Sequence, residues 1–336
     1  MHVVTDRPAI RLATRGSPLA LWQARRVAAM LDRTGVDASL VIVETAGDRH
    51  LDVSIDRLGG QGVFVKEVQR AVVRGDADAA VHSAKDLPAS PDVDASGLVL
   101  AAFPERADPR DVLVGGGLAS LPTGAMVATG SARRRAQLAG LRPDLTFTGL
   151  RGNLARRLAG VGSGGTTAVV AAKAAIDRLE WVAPAGVETE VLSVGTMVPQ
   201  VGQGALAVEC RPDDGAALSA LSAIDDPAVA PLVRAERAYL AELGGGCTQP
   251  VGAHAGWAGG GTPDRPGRPR AEIRLDAVMA SGDGWVVLRH RATGADPEGL
   301  GRAVARYLLD DAGGRDLGGW SPNPGVIAPE GAPVPP

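Results

Sequence analysis

The motif VHSAKDLP (residues 81–88) joins a short apolar strand to a polar segment that contains Lys85 and Asp86. Charged groups at the end of a buried strand cost free energy unless a partner or a ligand compensates them. In open α/β sheets, ligands bind at the carboxyl ends of the strands. A surface ion pair between Lys85 and Asp86 would explain the same residues, because such pairs are common and contribute little to stability. We take Asp86 as the first candidate for chemistry because of the basic residues and the thiol found elsewhere in the chain.

Arginines stand at several predicted strand ends and helix N-termini, the places where an α/β domain gathers anions. The four that fit this interpretation best are Arg15, Arg133, Arg151 and Arg157. A guanidinium group binds a carboxylate through two parallel hydrogen bonds, so the set predicts a ligand with several carboxylates or phosphates. Arg135 and Arg156 are expected to face solvent, because three adjacent helical residues cannot all face one cleft. The segment GVGSGG (160–165) lacks the Lys-Ser/Thr ending of a phosphate-binding loop and is predicted to be an ordinary loop.

Cys247 lies in a glycine-rich turn, LGGGCTQPVG (243–252), after a long predicted helix. Glycines let another molecule or another backbone approach closely, which suits a covalent attachment point or a nucleophile. An inert loop cysteine fits the pattern about as well when the other motifs are left aside. No histidine stands in an obvious position to activate the thiol, so a papain-like protease is a poor fit. Cys210, inside the apolar run ALAVEC, has the surroundings of a structural cysteine.

The composition indicates a globular protein of two or three domains. The chain has 336 residues, is 45% hydrophobic and 22% charged, and carries a formal net charge of −3. That charge argues against a nucleic-acid partner bound by a bulk positive field, and 3% aromatic residues argue against base stacking. The apolar runs are too short to span a bilayer and the N-terminus lacks the features of a secretory signal, so we expect a cytoplasmic protein. Two cysteines and five histidines show no metal-ligand spacing, and no metal is expected.

Alternating strand-like and helix-like segments predict how these residues are positioned. In the first unit, strands are predicted at residues 10–14, 38–44 and 79–81, with helices at 17–33 and 63–73. This order predicts a mostly parallel sheet with helices on both faces. A second unit begins near residue 104, with strands predicted at 126–129, 145–148 and 168–171, each followed by a helix. The apolar segment 201–210 is expected to return to the first sheet.

A third unit is predicted from about residue 225 onward. It contains a helix at 227–243, strands at 251–255, 271–280 and 285–289, and a last helix at 297–310. Residues 258–270 have the composition of a flexible surface insertion, and the Gly- and Pro-rich chain after Gly313 is expected to be disordered. The glycine-rich joins near 100–104 and 199–204 are predicted hinges between the first two units.

Seven motifs occur in the order found in porphobilinogen deaminases, and the chain resembles that family from roughly residue 9 to 310. The motifs are LATRGSPLALWQA (12–24), GVFVKE (62–67), VHSAKDLP (81–88), TGSARRRAQL (129–138), LRGNLARRL (150–158), VGQGALAVECR (201–211) and GGGCTQPVG (244–252). The resemblance implies an α/β fold of three domains: two lobes like type II periplasmic binding proteins, and a smaller α/β C-terminal domain with an open-faced sheet. We expect the first lobe at 1–102 with 203–222, the second at 103–202, the third domain at 223–313 and a disordered tail at 314–336.

The resemblance also implies a reaction, the head-to-tail condensation of four porphobilinogen molecules with loss of ammonia and release of hydroxymethylbilane. The product grows on a dipyrromethane cofactor, which Cys247 is expected to hold through a thioether. Asp86 matches the catalytic acid of the family, with Lys85 beside it. A carboxylate there can stabilise the cationic methylene-pyrrolenine that remains when ammonia leaves, and it can relay protons.

Further positions match carboxylate-binding residues of the family, as a polyanion of acetate- and propionate-bearing rings requires. The residues expected to bind the cofactor are Ser131, Arg133, Arg134, Lys85 and Asp86, and those expected to bind the substrate are Arg15, Ser17, Arg151, Arg157 and Arg178. The sequence departs from the family pattern at Gln61, Ala175, Gln200 and Gly244. Gln61 stands in place of a basic residue and could weaken one carboxylate contact.

Two other classes of function stay open on the residues alone. A two-lobed protein with arginines in its cleft could bind an organic anion as a sensor or carrier, although Cys247 then has no role. A thiol-dependent transferase or hydrolase could use Cys247 as its nucleophile, although matched His and Asp partners are not evident. We expect a monomer that binds a small-molecule substrate, porphobilinogen, without a nucleic-acid or membrane partner.

Overall fold

The structure is a computed structural model that describes residues 8–44, 62–89, 96–150, 154–162, 165–244, 249–260 and 271–317. Its described strands form three separate sheets, two of five strands and one of three. Gln61, Arg151 and Cys247 lie outside the described residues. So do most of the predicted insertion and the tail from residue 318 onward.

The first lobe is built on a five-stranded sheet. Its strands are β1 (Ala9–Arg15), β2 (Asp37–Val43), β3 (Ala79–Ser83), β4 (Val99–Ala102) and β10 (Leu206–Cys210). They follow one another in the order β2-β1-β3-β10-β4. β1 pairs in parallel with β2 and β3, whereas β10 runs antiparallel to both of its neighbours. The mostly parallel sheet is therefore confirmed, and so is the return of the segment 201–210 to it.

Helices cover both faces of this sheet, as predicted. α1 (Pro18–Arg33) begins at Ser17, whose Oγ accepts a hydrogen bond from the Ala20 amide at 3.3 Å. Its apolar face packs on the side of the sheet that carries Leu12. α2 (Gly62–Val73) packs on the opposite side, where Val68 and Val72 meet Ala13 and Ala80 of the sheet. Because β1, β2 and β3 run parallel, the turns that follow them lie at a common edge of the sheet.

The second lobe repeats this strand order. Its strands are β5 (Asp111–Val114), β6 (Met126–Ala128), β7 (Thr146–Thr148), β8 (Ala168–Ala172) and β9 (Thr189–Val191). They lie in the order β7-β6-β8-β5-β9, with β5 antiparallel to both neighbours. Its helices are α3 (Ala132–Leu141), α4 (Leu154–Leu158) and α5 (Lys173–Arg178). In each lobe the antiparallel strand is the one that the chain enters after crossing from the other lobe, which is the two-lobed arrangement of type II periplasmic binding proteins.

Two crossing segments, residues 103–110 and 198–205, connect the lobes and run side by side. An isolated β-bridge joins Arg106 to Ala205, and the Ala107 amide donates to the Gly204 carbonyl at 3.0 Å. Gly204 has a φ of +87°, and a Cβ at this position would lie 2.4 Å from the Ala107 carbonyl oxygen. Only glycine allows both the left-handed conformation and this close approach.

The C-terminal domain is a three-stranded antiparallel sheet covered by helices. α6 (Gly215–Ser222) closes the first lobe, and the domain then begins with α7 (Ala230–Glu242). Its sheet consists of β11 (Val251–Trp257), β12 (Ile273–Ala280) and β13 (Val287–Gly294), followed by α8 (Pro297–Arg306). Apolar residues of the sheet and both helices form one core. The domain contacts the second lobe through Arg289, whose guanidinium group donates to the carbonyls of Gly195 at 2.6 Å and Thr196 at 3.0 Å.

Several details differ from the sequence-based expectations. β4, β5 and β9 have only three or four residues each and were not predicted, because so short an apolar run has little periodicity. The helix α6 was not predicted either. The disorder expected from residue 314 does not hold for its first four residues. Gly314–Asp316 form a 3-10 turn and Leu317 joins the domain core. Within the described residues, no helix combines the length and apolar character needed to cross a membrane.

Candidate active site

The turn that carries Lys85 and Asp86 is fastened to the second crossing segment. β3 ends at Ser83, and Ala84–Asp86 form a single 3-10 turn. The Ala84 amide donates to the Ala205 carbonyl at 3.0 Å. Gly202, at a φ of +71°, approaches so closely that a Cβ there would lie 3.0 Å from the Lys85 amide nitrogen. The turn is therefore held at the carboxyl end of β3, beside the connection between the lobes.

The two charged side chains of this turn have different environments. Asp86 is exposed, whereas Lys85 is half-buried and donates a hydrogen bond from Nζ to Oε1 of Gln203 at 3.3 Å. Burial lowers the pKa of Lys85 from its ordinary value, and the positive charge of Arg134 acts in the same direction. The carboxylates of Asp86 and Asp111 oppose that change in the Lys85 pKa. Lys85 therefore reaches across to charged groups of the second lobe.

Asp111, at the start of β5, is the buried centre of these groups. Its Oδ2 lies 2.8 Å from Nη1 of Arg133, and its Oδ1 lies 2.7 Å from Nη2 and 3.0 Å from Nε of Arg134. Nε2 of Gln203 donates to the same Oδ1 at 3.0 Å. Burial by itself would raise the pKa of Asp111, but the two guanidinium groups outweigh it and hold that pKa well below its ordinary value. Asp111 is therefore a fully buried carboxylate that stays ionised.

Arg133 and Arg134 are more enclosed than an open binding face would require. Arg133 is only 2% exposed and also donates to the Val198 carbonyl at 2.7 Å. Its Nε has no hydrogen-bond partner among the described residues. Arg134 donates from Nη1 to the Val170 carbonyl at 2.9 Å. Their direct contact with a bound anion stays a prediction, but both contribute positive charge at this position.

Positive charge exceeds negative charge around Asp111. Burial lowers the pKa of Arg157, which is half-buried on α4, and repulsion from Arg134 lowers it further. Lys85 is thus repelled by Arg133 and Arg134, and Arg157 by Arg134, while the fully buried Asp111 carboxylate pairs with Arg133 and Arg134. Such an unbalanced cluster favours binding of an anion, because like charges in a partly dry site raise the free energy until a counter-charge arrives.

Three of the expected site residues lie at turns that follow parallel strands. Ser17 caps α1, and Arg15 is the half-buried last residue of β1. Ser131 caps α3 and accepts from the Arg134 amide at 3.4 Å. β1 and β3 are parallel neighbours, so Arg15 and Ser17 share the sheet edge that carries Lys85.

Arg178 is buried against the crossing segments. It lies on α5, and its Nη2 donates to the Gly204 carbonyl at 2.8 Å. Its guanidinium carbon lies 5.2 Å from the centre of the Trp22 ring on α1, a cation–π distance. The Nε of Arg178 has no hydrogen-bond partner in the described part of the structure. Arg178 therefore joins α5 of the second lobe to α1 of the first and keeps one buried donor unused.

Arg135 and Arg156, the two arginines expected to face solvent, are both exposed.

One of the departures from the family pattern has a local explanation. Gly244 follows α7 with a φ of +63°, a conformation that favours glycine over an acidic residue. Gln200 is buried and Ala175 is half-buried on α5. Nothing in the structure explains these two substitutions.

A buried carboxylate that the sequence analysis missed joins the C-terminal domain to both crossing segments. Glu236 on α7 accepts from Nη1 of Arg106 at 2.7 Å and from the amides of Gly202 and Ala255, both at 2.7 Å. Burial would raise its pKa, but Arg106 and nearby His254 outweigh that effect and hold the Glu236 pKa below its ordinary value. Asp111 and Gln203 were missed as well. A polar residue before an apolar run is the only local signal of such a site, and it is too common to be specific.

The described residues include no group of three His, Cys, Asp or Glu side chains arranged to hold a metal ion. The arrangement can instead hold an organic polyanion. It combines an exposed carboxylate, a half-buried ammonium group and several guanidinium groups at the boundary between two lobes. A carboxylate beside bound anionic substrate can transfer protons and stabilise a cation that develops during reaction.

Two family models match nearly the whole chain. One is described as porphobilinogen deaminase, dipyromethane cofactor binding domain, and matches residues 10–219. The other is described as porphobilinogen deaminase, C-terminal domain, and matches residues 230–310. Together they span both lobes and the three-stranded domain.

Curated proteins named porphobilinogen deaminase are similar over most of the chain. The protein of Acidothermus cellulolyticus is 43% identical over 309 residues, covering 89% of this chain and 88% of that protein. The protein of Geobacillus kaustophilus is 42% identical over 306 residues, covering 90% and 94%. The protein of Roseiflexus castenholzii is 42% identical over 320 residues, covering 93% and 99%.

Solved structures with a similar arrangement include binding proteins. The Bordetella pertussis BvgS VFT2 domain, a double mutant, gives a TM-score of 0.39 at 19% identity and covers 65% of this chain and 87% of that one. The methionine binding protein MetQ gives a TM-score of 0.38 at 16% identity and covers 65% and 91%.

Proposed function

Since this chain belongs to the porphobilinogen deaminase family, we propose that Asp86 is its catalytic acid and that Lys85 assists it. Members of the family are hydroxymethylbilane synthases, transferases of tetrapyrrole and haem biosynthesis that use a dipyrromethane cofactor. The chain therefore condenses four porphobilinogen molecules head to tail with loss of ammonia. Neither an anion carrier nor a thiol hydrolase remains as an alternative.

The observation that carries the assignment is the contact between the Asp86 turn and the cation cluster of the second lobe. Lys85, next to Asp86, is linked through Gln203 to Asp111, and Asp111 holds Arg133 and Arg134. A substrate carboxylate attracted to these cations would lie beside the exposed Asp86 carboxylate. Binding the substrate beside the acid turns a bimolecular encounter into a reaction between groups that are already in position.

The described residues fit a dipyrromethane, which carries four carboxylate arms. The unused buried Nε donors of Arg133 and Arg178 favour a bound polyanion, and so does the repulsion of Arg134 with both Lys85 and Arg157. We assign Ser131, Arg133, Arg134, Lys85 and Asp86 to the cofactor, and Arg15, Ser17, Arg151, Arg157 and Arg178 to the substrate. When bound through Cys247, the cofactor supplies the free pyrrole carbon at which the product grows.

In the proposed mechanism, Asp86 handles both protons of each condensation. Its acid form donates a proton to the departing amine, so nitrogen leaves as ammonia and the C–N bond electrons leave with it. The resulting carboxylate stabilises the substrate cation through the ring N–H. After the new C–C bond forms, the same carboxylate accepts the proton that the joined carbon loses, which restores the acid.

Lys85 and the arginines bind and orient rather than transfer protons. A guanidinium group keeps its proton throughout the working pH range, so its role is to grip acetate and propionate groups. Lys85 differs from the arginines in that burial lowers its pKa, so its charge depends more on its neighbours. Its link to Gln203 and its place beside Asp86 suit a charged ammonium group that binds a substrate carboxylate next to the catalytic acid.

The mass of the purified protein tests the attachment site. We expect the chain purified from cells that make porphobilinogen to be heavier than its sequence by one dipyrromethane, and to give a coloured product with Ehrlich's reagent. Cys247→Ser should lose the added mass. Cys210→Ser is the matched control and should keep it, because burial raises the pKa of the Cys210 thiol to about 11 and makes it a poor nucleophile. An unmodified mass for the unsubstituted chain would contradict the assignment.

The division into domains is part of the same proposal. We assign residues 1–102 with 203–222 to the first lobe, 103–202 to the second and 223–313 to the third domain, which the three separate sheets support. We also propose a monomer that works in the cytoplasm and has neither a nucleic-acid nor a membrane partner. Sedimentation of the purified chain measures its oligomeric state, and a stable dimer would contradict this part.

A further inference from the structure

Gln203 lies at the boundary between the lobes and uses both ends of its amide. It is 1% exposed and stands in the second crossing segment, three residues before β10. Its Nε2 donates to the Pro109 carbonyl at 2.7 Å and to Oδ1 of Asp111 at 3.0 Å. Its Oε1 accepts from Nζ of Lys85 at 3.3 Å. Gln203 therefore forms hydrogen bonds with the first crossing segment, with the second lobe and with the Asp86 turn.

The chemistry of these neighbours determines the orientation of the amide. A backbone carbonyl and an ionised carboxylate only accept hydrogen bonds, so the NH₂ end must face Pro109 and Asp111. The oxygen then necessarily faces the Lys85 ammonium group, which only donates. No other uncharged side chain of this length offers two donors on one side and an acceptor on the other.

We propose that Gln203 is a positioning residue, which holds the Lys85 ammonium group in place and couples it to the Asp111 carboxylate of the opposite lobe. The inference rests on the proposed role of Lys85 and adds a residue that contacts neither substrate nor cofactor in the proposed mechanism. Through Gln203, a movement of one lobe relative to the other is transmitted to the lysine beside Asp86.

The balance of charge around Lys85 makes this contact important. Burial and the positive groups Arg133 and Arg134 disfavour the charged form of Lys85, while Asp86 and Asp111 favour it. An oxygen that accepts a hydrogen bond from the ammonium group adds to the favourable side. Removing that oxygen should increase the fraction of Lys85 that is unprotonated and reactive.

The small number of lysines allows a direct test. The chain contains three, Lys66, Lys85 and Lys173. Lys66 is exposed on α2 and serves as the internal standard. We would label the full-length chain, prepared without porphobilinogen, with a trace of acetic anhydride at about pH 8 and measure acetylation by mass spectrometry. Only the unprotonated amine reacts, so the rate of Lys85 relative to Lys66 reports the protonation and confinement of Lys85.

Gln203→Met keeps the length of the side chain but removes both polar ends. We expect Lys85 in this variant to react about 5- to 10-fold faster relative to Lys66, since losing a hydrogen bond to a charged group favours its neutral form. Gln203→Glu retains an acceptor facing Lys85 whether it is ionised or protonated. In that variant the relative rate should stay at or below the unsubstituted value.

Gln200→Met is the matched control, because Gln200 is a buried glutamine of the same crossing segment. Its amide nitrogen donates no hydrogen bond to any described residue. We expect its Lys85 rate to equal that of the unsubstituted chain. Equal Lys85 rates in Gln203→Met and Gln200→Met would overturn the proposal. So would faster labelling in Gln203→Glu.

Turnover of the cofactor-loaded enzyme gives an independent measure. Misplacing Lys85 should lower kcat of Gln203→Met about 10- to 100-fold while the thermal transition stays near that of Gln200→Met. Lys85 labelling does not depend on catalysis. If the unsubstituted chain were inactive while the variants showed the expected labelling pattern, the proposed function would be contradicted but the coupling would not. A change in turnover without a change in labelling would contradict the coupling alone.

Discussion

Arg134 places two nitrogens, Nη2 at 2.7 Å and Nε at 3.0 Å, against the same oxygen of Asp111. Both residues belong to the second lobe, Arg134 on α3 and Asp111 at the start of β5. Gln203 donates a hydrogen bond to the same oxygen and accepts one from Lys85. The Arg134–Asp111 pair is therefore hydrogen-bonded, through Gln203, to the turn of the first lobe that carries Lys85. One buried carboxylate, that of Asp111, therefore pairs with Arg133 and Arg134 at the boundary between the lobes. The negative charge of a bound ligand would balance the positive charge that remains.

Asp86→Asn should separate cofactor assembly from turnover. The amide keeps the shape of the side chain but cannot donate or accept the protons of condensation, so we expect turnover to fall by at least about 100-fold. The added mass of the cofactor should remain. Intact-mass measurement and a product assay on the same preparation check both points, and full activity in Asp86→Asn would remove Asp86 from its assigned role.

Asp111→Asn should strongly destabilise the chain. It leaves Arg133 and Arg134 buried without their counter-charge, and breaking a buried pair in this way typically costs about 3–5 kcal/mol. Urea denaturation of the full-length chain measures the free energy of unfolding. Asp310→Asn is the control, because Asp310 forms an exposed pair with Arg315 and should change stability little. Similar stability losses in the two variants would contradict the central place of Asp111.

Acid should weaken the junction at Glu236. A carboxylate whose pKa is lower in the folded than in the unfolded chain stabilises the fold above its unfolded pKa of 4.5, and this contribution is lost as the pH falls through the folded pKa. Glu236→Gln should therefore be less stable than the unsubstituted chain at about pH 6, and the difference should shrink towards about pH 3.

Unfolding free energies across this pH range test the expectation for Glu236. Glu298→Gln is the control, because Glu298 pairs with Arg234 at the surface, where both side chains are largely exposed. That variant should follow the unsubstituted chain at every pH. A stability difference for Glu236→Gln that stays constant down to the acid end would show that Glu236 acts through packing rather than through its charge.

Gly202→Ala should impair catalysis beyond its effect on stability. Gly202 has a φ of +71°, and the added Cβ would meet the Ala84 carbonyl carbon and the Lys85 amide nitrogen at 3.0 Å, so the Asp86 turn must shift. Gly186→Ala is a matched control, with a φ of +82° and nothing within 4 Å of the added Cβ. Both variants should lose about 1 kcal/mol of stability from the left-handed backbone.

Only Gly202→Ala should also lose turnover, through a lower kcat rather than a higher KM, because the displaced groups act in the reaction step. Steady-state kinetics on the cofactor-loaded variants distinguish the two parameters. Equal kcat values for Gly202→Ala and Gly186→Ala would indicate that the turn tolerates the shift, and that its attachment to the crossing segment is not needed for catalysis.

Most of the elements that position the site are visible in the sequence. Ser17 and Ser131 cap α1 and α3, and the serine at each helix start is a local signal, because capping depends on three or four adjacent residues. The strand that ends at Ser83 was predicted from its apolar run, although it extends two residues further than expected. Short strands such as β9 were missed, since three residues cannot display a period.

The sequence by itself determined the family, the candidate acid and the nature of the ligand, because ordered motifs and helix caps are properties of neighbouring residues. Only the tertiary structure decided which polar groups meet. Lys85 and Gln203 are 118 positions apart, and Gln203 and Asp111 are 92 apart. Their contact exists because β10 returns to the first sheet after the chain has built the second lobe. A lone glutamine or aspartate acquires its role from burial and from partners that strand order supplies, and neither can be read from its local sequence.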